Sequence, residues 1–312
     1  MAAVRGCHGW AMMLLIGALA AGCAGAQAPS PSGIDEGAPS AQFSSAAPRR
    51  SGVDGGLGRV GVFLSVSGEE ASRDVSRYAG YDTLIVDLQE FSPDDVLRLR
   101  DTGVTTVYSY LNIGSLETYR PYYDRFSRLG AESYENWPEE YWLDVTDPQW
   151  RDFIVHELGE ELGARGADGF FIDNADVFGR SPTKETRDAL VEMLGGLKAM
   201  GVRVLINGGD EFVAALLDEE GAQGAPMLEG VLDGVAQETV FTSIEDYDRD
   251  VFGRQDAAES ARLRAHVERV ADRGLTTLLI EYTNDPGIEA EVEEYCADVG
   301  CSAFIARSVE LG

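Results

Sequence analysis

Four carboxylates in this chain each close a short apolar run. Asp87 ends Thr83-Leu-Ile-Val, Asp173 ends Gly169-Phe-Phe-Ile, Glu238 follows Val235-Ala-Gln, and Glu281 follows Leu278-Leu-Ile. Runs of this length read as buried strands, so the acids stand where strands stop. Like carboxylates held close repel, and one of them stays protonated near neutral pH. A protonated acid beside an ionised one is what cleavage of a glycosidic bond requires: the first protonates the leaving oxygen, the second attacks or activates water. Taken singly, a strand-end acid is explained as well by capping the next helix or binding an arginine. Taken together, with Tyr110, Asn112, Asp176, Asn207 and Tyr282 at or just past other run ends, they point to a cleft.

Positioning these residues takes a repeated element. Residues 59–312 alternate strand-like and amphipathic stretches eight times. The strands read as Val60–Leu64, Thr83–Leu88, Val104–Leu111, Gly169–Asp173, Arg203–Asn207, Gly230–Gln237, Thr276–Tyr282 and Ser302–Arg307. Ser92 and Asp147 each precede a proline, the signature of an N-cap with Pro at the first helical position. Gly103, Gly166, Gly201 and Gly274 fall between a helix and the next strand, where a left-handed residue ends the helix. Eight such repeats in about 250 residues fit a (β/α)8 TIM barrel of the α/β class. A doubly wound open sheet is the alternative. In a barrel the working residues sit at the C-terminal strand ends. Alternation sends Asp173 and Phe171 inward, turns Phe170 and Ile172 to the helices, and puts Glu238 on one face with the small Ala236 and Gly234.

Other chemistries fail on position or composition. The 25 Lys+Arg stand against 54 Asp+Glu, a formal net charge of −29, a sign that opposes a phosphate backbone and excludes nucleic acid as a partner. Residues 1–58 carry three charges of each sign, so the whole −29 falls on residues 59–312. The Gly-rich stretch Gly52–Gly58 precedes its strand, whereas a phosphate loop follows one. Asp246-Tyr-Asp-Arg-Asp250 has Val251 where a calcium loop needs its turn glycine and Ala257 where it needs a final Glu, and reads as a solvated acidic loop. Three His argue against a zinc site, and Lys184 and Lys198 lie on the helical side, away from Schiff-base chemistry. Neither metal nor cofactor is expected.

The front of the chain reads as an address. Arg5, the uncharged run Trp10–Ala21 and Gly22-Cys23 give residues 1–22 the form of a lipoprotein-type signal peptide with Cys23 as lipid site. Plain secretion or a retained anchor are the alternatives. Residues 23–58, rich in Ala, Ser, Pro and Gly, form a flexible tether. The expected location is a bacterial cell envelope, with membrane contact through the lipid only, or the exterior. Cys296 and Cys301 read as a disulfide or as two buried thiols. Ten of the 28 aromatic residues crowd into residues 108–142, much of it a long connection after the third strand. They read either as a sugar-binding wall or as packing of that connection.

Three motifs sharpen this. Tyr110-Leu-Asn-Ile-Gly-Ser-Leu-Glu117-Thr-Tyr-Arg120, Trp142-Leu-Asp144-Val-Thr-Asp-Pro-Gln-Trp150 and Gly166-Ala-Asp-Gly-Phe-Phe-Ile-Asp173-Asn-Ala-Asp176 together resemble glycoside hydrolase family 114, the endo-α-1,4-polygalactosaminidases and their bacterial TIM-barrel relatives. The resemblance covers nearly all of residues 59–312. It implies catalysis by an Asp ending strand four and a Glu ending strand six, here Asp173 and Glu238, and cleavage inside an α-linked galactosamine-type polysaccharide, itself cationic when deacetylated. Asp87, Tyr110, Asn112, Glu117, Arg120, Asp176, Asn207, Glu281 and Tyr282 would line the cleft. Many relatives carry an acid where this chain has Ser115 or Leu116, and Glu211 or Glu281 compete for the place of Glu238. A polysaccharide-binding envelope lipoprotein that has lost catalysis is the reading from another class.

Overall fold

In the computed structural model, which describes residues 56–134, 137–223 and 228–312, the apolar runs become eight parallel strands of one sheet. The leader, Cys23 and nearly all of the tether lie outside the described residues. The strands follow chain order: β1 (Val60–Phe63), β2 (Thr83–Val86), β3 (Thr106–Asn112), β4 (Gly169–Asp173), β5 (Arg203–Asn207), β6 (Gly234–Glu238), β7 (Thr276–Tyr282) and β8 (Ser302–Ala306). β8 and β1, the two ends of that order, are joined by Phe304 meeting Phe63 at 6.0 Å and by the Leu64 N–H donating to the Leu311 carbonyl at 2.8 Å. The sheet is therefore a nearly closed barrel, and the open-sheet alternative falls.

Its interior is one cluster to which every strand contributes, among them Val62, Ile85, Tyr110, Phe171, Leu205, Ala236, Ile280, Tyr282 and Ala306. Phe170 and Ile172 pack in the separate layer against the helices, as alternation requires. The expected caps are present. Ser92 forms a capping box with Asp95, the Asp147 carboxylate accepts from the Gln149 and Trp150 N–H groups, and the four helix-ending glycines all have positive φ, from 77° to 111°. β6 starts four residues later than expected, because Leu228–Gly230 is a 3-10 turn. Cys296 and Cys301 are both thiols in the structure, on either side of the helix-ending Gly300, and the Cys301 N–H returns to the Cys296 carbonyl at 3.1 Å.

Two excursions were not legible as sheets in the sequence. After β3 the chain builds a three-stranded antiparallel sheet, Ser115–Glu117, Trp137–Leu143 and Gly130–Tyr134, with the Trp137–Leu143 strand central. After β6 it builds an antiparallel ribbon, Thr242–Asp246 with Val251–Arg254, whose turn is the acidic loop Asp246–Asp250. Part of the aromatic run packs the first excursion onto the barrel: Tyr122, Phe126, Trp150 and Phe153 form one ring cluster, and the Trp150 indole donates to the Ile113 carbonyl at 2.9 Å.

A buried ion network ties that excursion to the barrel. Arg120 donates to Glu117 at 2.6 Å and to Asp87, at the end of β2, at 2.8 Å, with all three side chains no more than 4% exposed. Burying three charges is costly, and their mutual geometry offsets the cost only while all are present. Arg120→Met should therefore leave two buried carboxyls without their cation and cost about 3–5 kcal/mol. A shift in urea midpoint worth less than about 1 kcal/mol would show that the network is not what holds the excursion.

Candidate active site

Asp173 and Glu238 end β4 and β6, and their carboxyl groups meet over one side chain. Asn207, the last residue of β5 between them, donates its amide to Asp173 Oδ1 at 3.3 Å and to Glu238 Oε1 at 2.9 Å. The other oxygen of each acid receives a phenol: Tyr110 from β3 donates to Asp173 Oδ2 at 3.0 Å, and Tyr282 from β7 donates to Glu238 Oε2 at 2.7 Å. Both acids are under 5% exposed. Burial raises both pKa values well above the ordinary carboxylate range, and the Glu238 charge raises Asp173 further. Burial also holds the Tyr110 and Tyr282 phenols protonated, so they serve as donors. The two carboxyls titrate as one coupled pair that shares a proton near neutral pH, so one acid and one carboxylate are available for acid–base and nucleophilic work on one bond.

The backbone fixes where these acids point. The residue after each one is left-handed without being glycine: Asn174 at φ 61° and Thr239 at φ 53°. Asn tolerates this region, whereas a β-branched Thr there is strained by an order of 1–3 kcal/mol. Each turn is pinned by side chains. Asn174 accepts from the Tyr134 hydroxyl at 2.9 Å and donates to Ser115 and Glu140, both at 2.8 Å. Beyond Thr239, the Glu281 carboxylate takes the backbone N–H groups of Val240, Phe241 and Thr242 and the Thr242 hydroxyl.

That contact corrects an expectation. Glu281 does not line the cleft: Leu278, Ile280 and Tyr282 face the barrel interior, so parity turns Glu281 to the outer side, where it holds the turn behind Glu238. Glu211, the other competitor for the place of Glu238, is exposed on the helix Asp210–Gln223. Asp87, Glu117 and Arg120 stand behind the acids and reach them through Tyr110, whose hydroxyl lies 3.4 Å from Glu117. Asp176 lies at the rim, accepts from the Gly209 N–H at 3.1 Å, and is pushed up to about 7 by burial and by Asp210.

Sequence reasoning missed Glu140. It sits across from Glu117 in the excursion sheet, and its Oε1 gathers Asn112 at 3.0 Å, Asn174 at 2.8 Å and the Ser115 hydroxyl. Burial and the Glu117 charge push it up to about 8. Ser115 thus binds an acid from the neighbouring strand. The available signal was an acid inside an aromatic run, Glu140-Tyr-Trp142.

An acid whose folded pKa is raised binds its proton more tightly folded than unfolded, so its contribution turns unfavourable as pH climbs from the unfolded value toward the folded one and beyond. Asp173→Asn should therefore raise Tm, and by more at pH 8.5 than at pH 6.5. That window lies above the range in which His266, held low by burial, gains its proton. An equal or smaller gain at the higher pH would contradict the raised Asp173.

Known proteins share this fold. A curated relative, an uncharacterized protein of Deinococcus radiodurans, is 21% identical over 207 residues, which are 64% of this chain and 63% of that protein. The glycoside hydrolase domain of PelA from Pseudomonas aeruginosa superposes with a TM-score of 0.63 at 19% identity, covering 81% of this chain and 96% of that one. Ega3 of Aspergillus fumigatus, solved in complex with galactosamine, superposes at 0.59 and 14% identity, covering 83% and 95%. At these identities the likeness establishes the barrel. The model of glycoside hydrolase family GH114 matches residues 68–308, and the chain belongs to that family.

Proposed function

We propose that this chain hydrolyses internal α-linkages of a galactosamine-type polysaccharide, with Asp173 as nucleophile and Glu238 as general acid and then base. The observation that carries the reading is the single Asn207 amide bonded to both carboxyls. Two oxygens on one nitrogen lie at most about 6 Å apart, below the roughly 6.5–9.5 Å of inverting glycosidases, which supports retention. Asp173 then attacks the anomeric carbon while Glu238 protonates the departing oxygen. Glu238 next takes a proton from the water that releases the sugar. The rim favours a cationic sugar: among the described residues Arg120 is the only cation bonded to Asp87, Glu117, Glu140, Asp173, Asp176 or Glu238, and it is spent on two of them. The net charge of −29 supports long-range attraction of the same polymer. The N-terminal residues support display at a cell envelope through a lipid on Cys23, which labelling with a radioactive fatty acid tests: Cys23→Ser should abolish incorporation.

On partly deacetylated poly-galactosamine, Asp173→Asn and Glu238→Gln should each lower kcat about 10²–10⁴-fold. Near wild-type cleavage by both would overturn the assignment of these two acids, whereas a wild-type protein that binds the polymer and releases no reducing ends would be a binding protein. Proton NMR of the first products should show the α-anomer before mutarotation; the β-anomer would assign inversion. Activity needs one proton on the pair, so kcat/KM should fall on both sides of an optimum, with the acid limb above the ordinary carboxylate range near pH 4. An acid limb at or below pH 4 would contradict the raised pair.

A further inference from the structure

The two excursions from β3 and β6 meet above the catalytic acids. Trp137, at the start of the central excursion strand, contacts Tyr247, in the turn of the ribbon, with ring centroids 6.3 Å apart and planes at 89°. Trp137 rests against the core between strands and helices with part of its ring outside it. Both rings are only half-buried, and Tyr247 stands apart from the hydrophobic clusters of the core. An edge-to-face contact covers one of the four ring faces, so the pair keeps aromatic surface for a ligand. The ribbon itself is anchored. Ile244 and Phe252 pack on the barrel interior cluster, and Asp250 accepts from the Val309 N–H at 2.7 Å. Its turn is thereby held over the side of the cleft where β6 ends.

We propose that Trp137 and Tyr247 form the sugar platform on the leaving-group side of the cleft, taking an amino-sugar ring by its apolar face and its ammonium by the aromatic faces. The side follows from the neighbour. Tyr247 lies in the turn of the ribbon whose first strand begins at Thr242, four residues after Glu238, and burial together with the Glu238 charge raises its phenol. The ring beside the general acid meets the sugar that departs with the proton. An ammonium over a Trp or Tyr face is worth about 0.5–2 kcal/mol, enough to matter at one subsite and too little to bind a polymer alone.

This inference rests on the proposed glycosidase reading, and one experiment separates the two. Galactosamine tetramer binding is measured by calorimetry in the cleavage-deficient Asp173→Asn background, and KM on the partly deacetylated polymer in the wild-type background. Trp137→Ala and Tyr247→Ala should each weaken tetramer binding and raise KM about 5- to 20-fold, with kcat changed less than threefold. Trp137→Phe, which keeps an aromatic face, should recover most of the affinity. Wild-type affinity and KM in both Ala variants would overturn the platform while leaving the glycosidase standing. Equal loss in Trp137→Ala and Trp137→Phe would overturn it too, because Phe keeps the aromatic face on which the platform depends. A wild-type protein that neither binds the tetramer nor cuts the polymer would remove the glycosidase reading and the platform with it.

Discussion

Among the described residues, the carboxyl groups at and behind the cleft share a single guanidinium. Asp87 and Glu117 hold Arg120 between them, and Asp173, Glu238 and Glu140 are served by amides and hydroxyls alone. Neutral donors stabilise a carboxylate without fixing its charge, so these acids remain free to exchange protons. The one strong cation is placed where it organises the chain instead, joining the end of β2 to the excursion that follows β3. Through Glu117 and Tyr110 it still borders the chemistry, at one remove.

Such an economy carries a cost in stability. Raised acids oppose folding at neutral and alkaline pH, and the strained Thr239 adds to that burden. The offset is the layered core. One cluster fills the barrel, and another, between strands and helices, runs unbroken from Phe63 to Val270. Active sites commonly trade stability for function in this way.

How much was legible in the sequence follows from what each feature depends on. The barrel was legible because strand and helix periods, caps and helix-ending glycines are local properties that here agree with the global fold. Asp173 was legible because Gly169–Asp173 is one uninterrupted strand whose parity is unambiguous. Glu281 was misplaced for want of that parity argument, since Glu281 and Tyr282 are adjacent and cannot share a face. Glu140, Tyr134 and Tyr247 were not assigned because their strands exist only as paired structures. The sequence Trp137-Pro-Glu-Glu-Tyr-Trp142 has no clean alternation, and what brings Glu140 to Asn112 is its cross-strand partner Glu117. Of the two readings of the aromatic run, packing is the one that holds for Tyr122, which lies on Trp150 and Phe153.

The left-handed residues behind the two acids have a further consequence. Asn174 and Thr239 are the points at which the chain leaves the barrel, and the second is held by Glu281, which takes the Val240–Thr242 backbone, and by the Gln255 amide, which donates to the Thr239 carbonyl at 2.9 Å. The tip of the ribbon, between those two anchors, can be lengthened, shortened or exchanged without re-aiming Glu238. On this scaffold evolution, or an engineer, can vary what is gripped separately from what is cut. Descendants of one barrel would then diverge in their polymers while their scissile chemistry stayed the same.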